Sequence, residues 1–390
     1  MTNPELPRPQ LIHSDDEIER LVERLVALDS VNPMIIEGGA GEQAIAQFVS
    51  TWLDRAGLTV TTIEDSPARP SVVATASGTG GGRSLLLNGH LDTVGVDGMS
   101  NPHRPQVIDG RLYGRGAYDM KGGVAACMLA AAAVAPLDLA GDVTVAAVSD
   151  EEYRSAGMRA VLDRLTADAA IVTEPSHLRV CVAHKGFVWI ELESIGKAAH
   201  GSRPDLGTDA ITQLADVLSE LRALNARLEQ RDYPLLGSGS IHASMISGGQ
   251  EISSYPARCT LSIERRTLPD ESTTDVAREI EQIVQRATHR DPAADIRWEI
   301  VWASDAFGAT PDSQIVNILH AHASAAAGQH LPLVGESMWL DSALIQAAGI
   351  PTVVYGPSGA GAHATEEWVD LDSVRTCAQV LLQTAVEFCA

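Results

Sequence analysis

Apolar positions follow two rhythms along this chain, and the changes of rhythm divide it. Between Asp15 and Leu28, residues Ile18, Leu21, Val22, Leu25 and Val26 recur at three- and four-residue spacing, the mark of one helix face. Gly41 to Ala56 repeats that spacing, and Gly57 stands where a left-handed residue caps a helix. Short apolar runs then predict strands at Leu58 to Ile63, Ser71 to Ala76 and Ser84 to Asn88. Helices over Gly122 to Val134 and Met158 to Leu165 alternate with strands at Asp142 to Ser149 and Ala169 to Thr173. Strands alternating with helices predict an α/β layered domain around a mainly parallel sheet.

After about Val182 the dominant period becomes two. Strands are expected at Lys185 to Ile195, Ser240 to Ile246, Arg258 to Arg266 and Asp295 to Trp302, with helices at Asp209 to Leu228 and Thr273 to Ala287. That strand-helix-strand-strand-helix-strand order is the signature of a ferredoxin-like domain. From Pro311 the first rhythm returns: a helix to Ala326, another from Asp341 to Ala348, a strand at Thr352 to Tyr355, and a last helix from Leu371 to Phe388. The reading is a discontinuous α/β catalytic domain, residues 1–182 and 304–390, interrupted by an inserted ferredoxin-like α+β domain at 183–303.

With 390 residues and 45% hydrophobic content, the chain has ample material for a core. Its net charge of -23 and pI near 4.8 repel phosphate backbones and anionic lipid, so no nucleic-acid and no membrane partner is expected. Lysine occurs only at Lys121, Lys185 and Lys197. Met1 to His13 is polar and proline-dotted, without the basic start and apolar stretch of a secretory signal. No apolar run approaches the length of a membrane span, and Ala125 to Pro136 reads as a buried helix. Cys127, Cys181, Cys259, Cys377 and Cys389 are odd in number and lack metal or redox spacing, which suits reduced thiols in a cytoplasm.

Candidate chemistry collects where predicted strands end. His90 with Asp92 leaves the strand Leu85 to Asn88; alone, the pair reads more readily as a solvated loop than as a site. Asp92 is placed to accept a proton from the second imidazole nitrogen. Asp119 sits in Gly114-Arg115-Gly116-Ala117-Tyr118-Asp119-Met120-Lys121-Gly122-Gly123, whose glycine spacing fits neither common phosphate cradle. Its two oxygens can bridge two cations. Asp150-Glu151-Glu152 is an acid run that a surface turn would explain, except that it directly follows the apolar stretch Val143 to Val148. Glu174 and His363 end two further strands. Five such sites, with imidazole and carboxylate but no thiolate, point to a catalytic divalent-metal centre.

On these segments the chain resembles the metallohydrolase superfamily of acetylornithine deacetylase, succinyl-diaminopimelate desuccinylase, aminoacylase and glutamate carboxypeptidase, from about Glu17 to Val386. The resemblance implies one zinc held by His90, Asp119 and Glu174, and a second by Asp119, Glu152 and His363, with cobalt or manganese able to substitute. It implies that Asp119 bridges, that the peptide bond after it is cis, and that Glu151 is the general base. His200, in Gly196-Lys197-Ala198-Ala199-His200-Gly201-Ser202, matches a histidine that reaches a partner subunit's oxyanion. Arg266 matches an arginine that binds the substrate carboxylate, with Arg265 the competing assignment. Ser253 stands three residues before Pro256 where the superfamily often has Asn, and Asp209 stands at another such position. The implied protein is a dizinc amidohydrolase that deacylates small N-acyl amino acids and forms a homodimer through the inserted lid domain. An exopeptidase with the same site is the alternative. A non-catalytic binder is disfavoured, because it would not need Glu151.

Overall fold

The computed structural model describes residues 10–64, 66–310 and 312–390. The first nine residues of the expected α/β domain and the helix start at Pro311 lie outside the described residues. So does most of the stretch read as lacking a signal. Two compact units are present. One comprises the chain up to Val182 with Ala309–Val334 and Leu340–Ala390, and the other Ala183–Gly308 with Gly335–Trp339.

The first unit opens with helices α1 (Asp15–Val26) and α2 (Gln43–Arg55). Ser14 and Glu17 form a capping box at α1: the Ser14 hydroxyl accepts from Glu17 N, and the Glu17 carboxylate accepts from Ser14 N at 2.8 Å. Strands β1 (Thr59–Glu64), β2 (Pro70–Ala76) and β3 (Leu85–His90) follow. Next come a hairpin of β4 (Gln106–Ile108) and β5 (Arg111–Tyr113), then α3 (Gly122–Val134), β6 (Val143–Val148), α4 (Ala156–Leu162), β7 (Ala169–Val172) and β8 (Val180–His184). In the second unit lie β9 (Gly186–Ile195), α5 (Ala215–Leu228), β10 (Ser240–Gly248), β11 (Arg258–Thr267), α6 (Thr273–Arg290), β12 (Asp295–Ser304) and the two-residue β13 (Phe307–Gly308). The chain then runs through α7 (Gln314–Ala327), β14 (Leu333–Glu336), α8 (Ser342–Ala347), β15 (Thr352–Val354), β16 (Gly359–Ala360), β17 (Trp368–Asp370) and α9 (Leu371–Phe388).

The main sheet of the first unit runs β1-β2-β6-β3-β7-β15-β8. Its four central strands, β6, β3, β7 and β15, are parallel; β2 pairs antiparallel with β6 and β1 antiparallel with β2 on one side, and β8 pairs antiparallel with β15 on the other. β6 and β7 are buried along their whole length, as parallel strands covered on both faces must be, and so read as unbroken apolar runs. Parallel pairing points the carboxyl ends of these strands to one edge. That edge is where ligands collect in open α/β sheets.

Every residue of α3 is buried, and the helix packs against α1, α9, β3 and β6. With its flanking turns it spans Ala117–Leu137, long and apolar enough by length and composition to cross a membrane. The sequence reading gave its helix as Gly122 to Val134 and took Ala125 to Pro136 as its apolar, buried part. In the fold, 83% of its most apolar window is buried inside the protein, so it is the core helix of the unit. Truncating a side chain such as Leu129, which is fully buried, costs about 2–5 kcal/mol in a core of this kind.

The second unit holds a four-stranded antiparallel sheet ordered β10-β11-β9-β12. β9 and β11 alternate buried and partly exposed positions. Their buried face meets α5 and α6 in a core that includes Ile190, Leu192, Leu221, Leu261, Ile263 and Ile280. This is the ferredoxin-like order read from the sequence. β10 is an edge strand and is exposed from His242 onward. Two features differ from expectation. α5 begins at Ala215, because Thr212–Leu214 is a separate 3₁₀ turn. β8 was not anticipated, since only Lys185 separates its apolar run from β9 and the two read as one change of rhythm.

Candidate metal centre

β3 delivers His90 to the carboxyl edge of the sheet, where it is 1% exposed. His90 Nδ1 donates to the carbonyl oxygen of Asp92 at 2.9 Å. This fixes the tautomer and leaves Nε2 as a ligand atom. The expected partner was the Asp92 carboxylate, but Oδ1 lies 3.7 Å from Nδ1. That carboxylate is engaged elsewhere: Oδ1 accepts from Glu151 N at 3.1 Å, and Oδ2 accepts from Glu152 N at 3.2 Å and Asn32 Nδ2 at 2.8 Å. Asp92 therefore braces the acid pair.

The loop bearing that pair has a second brace. Asp150 adopts a left-handed φ of 67°, and its Oδ1 accepts from Asn32 Nδ2 at 3.1 Å and Arg69 Nη2 at 3.0 Å. Arg69 also bonds Glu42 through Nε and Nη2, each at 2.5 Å. Asn32, Glu42 and Arg69 are all buried, and the sequence reading missed them. The one available signal was Arg69, a cation placed two residues before the strand expected at Ser71 to Ala76.

Asp119 lies in a single turn, Ala117–Lys121, ahead of α3, and its peptide bond to Met120 is cis. Its Oδ1 is 3.1 Å from His90 Nε2 and its Oδ2 is 3.4 Å from His363 Nε2, so its two oxygens face different histidines. Glu174 Oε1 lies 3.6 Å from His90 Nε2, and Glu152 Oε2 lies 3.0 Å from His363 Nε2. Two glycines hold the Glu174 segment. A Cβ on Gly123 would sit 2.2 Å from Thr173 O, and one on Gly356 would sit 2.2 Å from Glu174 O. His363 has φ 60° and its side chain is 56% exposed, whereas those of His90, Glu174 and Glu152 are nearly enclosed.

The donor atoms form two groups, His90–Asp119–Glu174 and Asp119–Glu152–His363, each with its atoms within 4.8 Å of one another. Asp119 belongs to both. Glu151 belongs to neither. This donor set suits divalent cations that take nitrogen and oxygen. Glu152 Oε1 supports the fit, because it is buried with no hydrogen-bond partner among the described residues. So does the charge. Burial, reinforced by neighbouring carboxylates, pushes Glu151 and Glu174 well above the usual carboxylate range. Asp119 is held low despite its burial, by hydrogen bonds from His363 and His90. The hydrogen bonds His363 donates to Asp119 and Glu152 push it up to about 10. Asp341, which the sequence reading took only as a helix start, is a further buried acid that burial pushes up to about 7. So dense an acid cluster needs cations to offset it.

His200, Ser253 and Arg266 lie in the second unit, so both donor groups are built wholly from the first. His200 is exposed, and its Nδ1 lies 2.8 Å from Ser202 Oγ. Ser253 is exposed and accepts from Gly201 N through its carbonyl at 2.6 Å. Arg266 is partly exposed, pairs with Glu264 at 3.0 Å and lies over the Phe187 ring at 5.6 Å. Arg265 points to the opposite face of β11, buried and paired with Glu271 and Glu279.

A family model described as peptidase family M20/M25/M40 matches residues 86–387. The chain is 31% identical over 330 residues to an acetylornithine deacetylase of Myxococcus xanthus, covering 82% of this chain and 84% of that one. It is 27% identical over 421 residues to N-formyl-4-amino-5-aminomethyl-2-methylpyrimidine deformylase of Halalkalibacterium halodurans, covering 97% of this chain and 96% of the relative. Among solved structures, a tripeptidase of Staphylococcus aureus matches with TM-score 0.78 and 20% identity over 96% of this chain and 99% of that one. An M20 family metallo-carboxypeptidase of Sulfolobus solfataricus matches with TM-score 0.76 and 17% identity over 96% and 99%. At those identities the two structures speak for the fold alone.

Proposed function

The chain belongs to peptidase family M20/M25/M40 and is a metal-dependent amide hydrolase, and we propose that it removes the acyl group from small N-acyl amino acids with two zinc ions. The observation that carries this reading is the pair of donor groups sharing Asp119, with Glu151 beside them and in neither. His90, Asp119 and Glu174 would hold one ion, and Asp119, Glu152 and His363 the other. When bound, such a pair supplies Lewis acidity and lowers the pKa of water. Cobalt or manganese would serve the same donor set.

Glu151 is the proton carrier. Asp92 holds its backbone at 3.1 Å, so its carboxylate is presented from a fixed base. It takes a proton from the attacking water and returns it to the nitrogen of the leaving amine, and the acyl carbon–nitrogen bond breaks. Arg266 would bind the substrate carboxylate and His200 would donate to the developing oxyanion, with Ser253 adjoining. The second unit would pair two copies. Its β10 edge is long and, among the described residues, unpaired on one side, and it exposes Met245 and Ile246 by 69% and 54%. The arginine-rich chain is assigned to the cytoplasm, consistent with its five buried cysteines, none of which is in a disulfide.

Deacylation is favoured over exopeptidase action because the relatives with appreciable identity are a deacetylase and a deformylase. The test is a hydrolysis screen over N-acetyl, N-formyl, N-succinyl and N-carbamoyl amino acids and dipeptides, with zinc, cobalt or manganese supplied. Turnover of an N-acyl amino acid well above any dipeptide is the expected result. Turnover confined to dipeptides would make the protein an exopeptidase.

A further inference from the structure

The loop that carries His363 is tied to the loop that carries Asp119 by one buried pair, Glu367 with Arg115. The Glu367 side chain is fully enclosed. Its Oε1 accepts from Tyr118 N and Asp119 N, both at 3.0 Å. Its Oε2 accepts from Gly116 N at 2.9 Å and Arg115 Nη1 at 2.6 Å. Both oxygens are thus engaged by the segment leading into the bridging ligand. Arg115 closes the link from the other direction. Its Nη2 donates to Ala364 O at 3.0 Å, next to His363, and its Nε donates to Gly95 O at 3.0 Å. Gly114 N adds a bond to Glu367 O at 3.0 Å.

Resting on the two-metal reading, we infer that Glu367 and Arg115 are positioning residues that set the spacing between Asp119 and His363, and so select for occupancy of the second metal position. The two positions are anchored differently. His90 is the last residue of β3, and Glu174 stands two residues past β7, directly after Thr173, whose N bonds to Asn88 O on β3 at 2.9 Å. His363 stands on a loop with left-handed backbone and a half-exposed side chain. The Glu367–Arg115 strap spans that loop from Ala364 to Glu367. Loosening it moves His363 against Asp119 far more than it moves His90 against Glu174.

Glu367→Gln keeps the shape and turns one acceptor oxygen into an NH₂ group facing two donors. The experiment is stepwise Zn²⁺ loading of the metal-free full-length protein, followed by calorimetry and by metal analysis after dialysis against a competing chelator. Wild type should take two ions. The variant should bind the first within about threefold of wild type and the second about 10–100-fold more weakly, the cost found when groups behind a ligand are removed. Arg115→Lys keeps the charge beside Glu367 but loses the fork to Ala364 and Gly95, and should show the same selective loss. It carries the test if the glutamine variant does not fold. Wild-type affinity for both ions in a folded variant overturns the inference, and so does parallel weakening of both. Uptake of fewer than two ions by wild type would instead overturn the two-metal reading itself.

Discussion

Replacing Gly123 with alanine should destabilise the protein, although the same change inside a helix ordinarily stabilises it by about 0.8–1 kcal/mol. The reason is local. The new Cβ would lie 2.2 Å from Thr173 O, 2.9 Å from Thr173 Oγ1 and 3.0 Å from Met120 Cε. A carbon meets a carbonyl oxygen comfortably at about 3.3 Å, so one side must give by roughly 1 Å. Thr173 cannot retreat, because Gly356 presses from beyond it, where a Cβ would already be 2.4 Å from the same oxygen. Thr173 is also bonded to Asn88 O through its N at 2.9 Å and its Oγ1 at 3.0 Å. α3 cannot retreat either, being buried on every side. Overpacking of this kind costs up to about 3 kcal/mol, which outweighs the helix gain and leaves a net loss of about 2 kcal/mol. Glu174 follows Thr173 directly, and a 1 Å displacement of a catalytic constellation lowers turnover by about 100-fold. Chemical denaturation of the metal-free protein reads the first effect, and the hydrolysis rate at saturating metal reads the second. Gly122→Ala is the comparison, since its Cβ would meet Ala117 O and the movable Val369 Cγ2 at 2.9 Å and should be milder. A Gly123→Ala protein as stable and as active as wild type would refute the close approach of α3 to Thr173.

Glu151→Gln should keep two ions bound while lowering turnover by about 10²–10⁴-fold, the range for a lost proton carrier; loss of an ion instead would make Glu151 a ligand. Metal loading at pH 7 should release protons, because His363, pushed up to about 10 by its hydrogen bonds to Asp119 and Glu152, and His90, raised by Asp119 against the effect of burial, must both shed a proton to become ligands, as must Glu174, which burial pushes well above the usual carboxylate range. Affinity should therefore rise as pH rises from 7 toward 10, and heats of binding that are the same in buffers of different ionisation enthalpy would contradict this. Arg266→Ala should raise KM for an N-acyl amino acid but not for its carboxamide, whereas Arg265→Ala should lower the stability of the second unit, since Arg265 is buried between Glu271 and Glu279. Equal KM changes on acid and carboxamide would remove Arg266 from carboxylate recognition.

The fold was legible wherever burial leaves a period. α1 has its five apolar residues on one buried face, and β9 and β11 alternate along their length. Short strands left no such trace: β16 and β17 have two and three residues, too few for any period to show. The helical extent of α3 was legible at Gly122 to Val134, and only the burial of its first turn, Gly122 to Val124, lay outside the stretch read as buried, because glycine has no side chain to mark a buried face. The two donor groups could be named from residue type and strand-end position, and their atoms do converge. Neither the brace on the acid pair nor the strap behind Asp119 could be. Asn32, Glu42 and Arg69 are far apart in sequence and meet Asp150 only when β2 pairs with β6.

One-letter codes cannot separate an acid that binds a cation from an acid that binds the backbone. Around this site, Asp92 accepts from Glu151 N and Glu152 N, and Glu367 accepts from Tyr118 N and Asp119 N. Both satisfy amides on the very loops that carry ligands, so they hold those loops in place before any ion arrives. That division has an energetic basis. Carboxylates left free in a buried cluster repel one another, whereas one that accepts several N–H bonds is stabilised in its charged form without a cation. The discriminating feature is therefore what each oxygen faces. Glu152 has one buried oxygen with no donor among the described residues, while both Glu367 oxygens have two. By that criterion Glu152 awaits a metal and Glu367 does not. Removal of metal should loosen the side chains of Glu152 and His363 while leaving the amides of Tyr118 and Asp119 protected from hydrogen exchange.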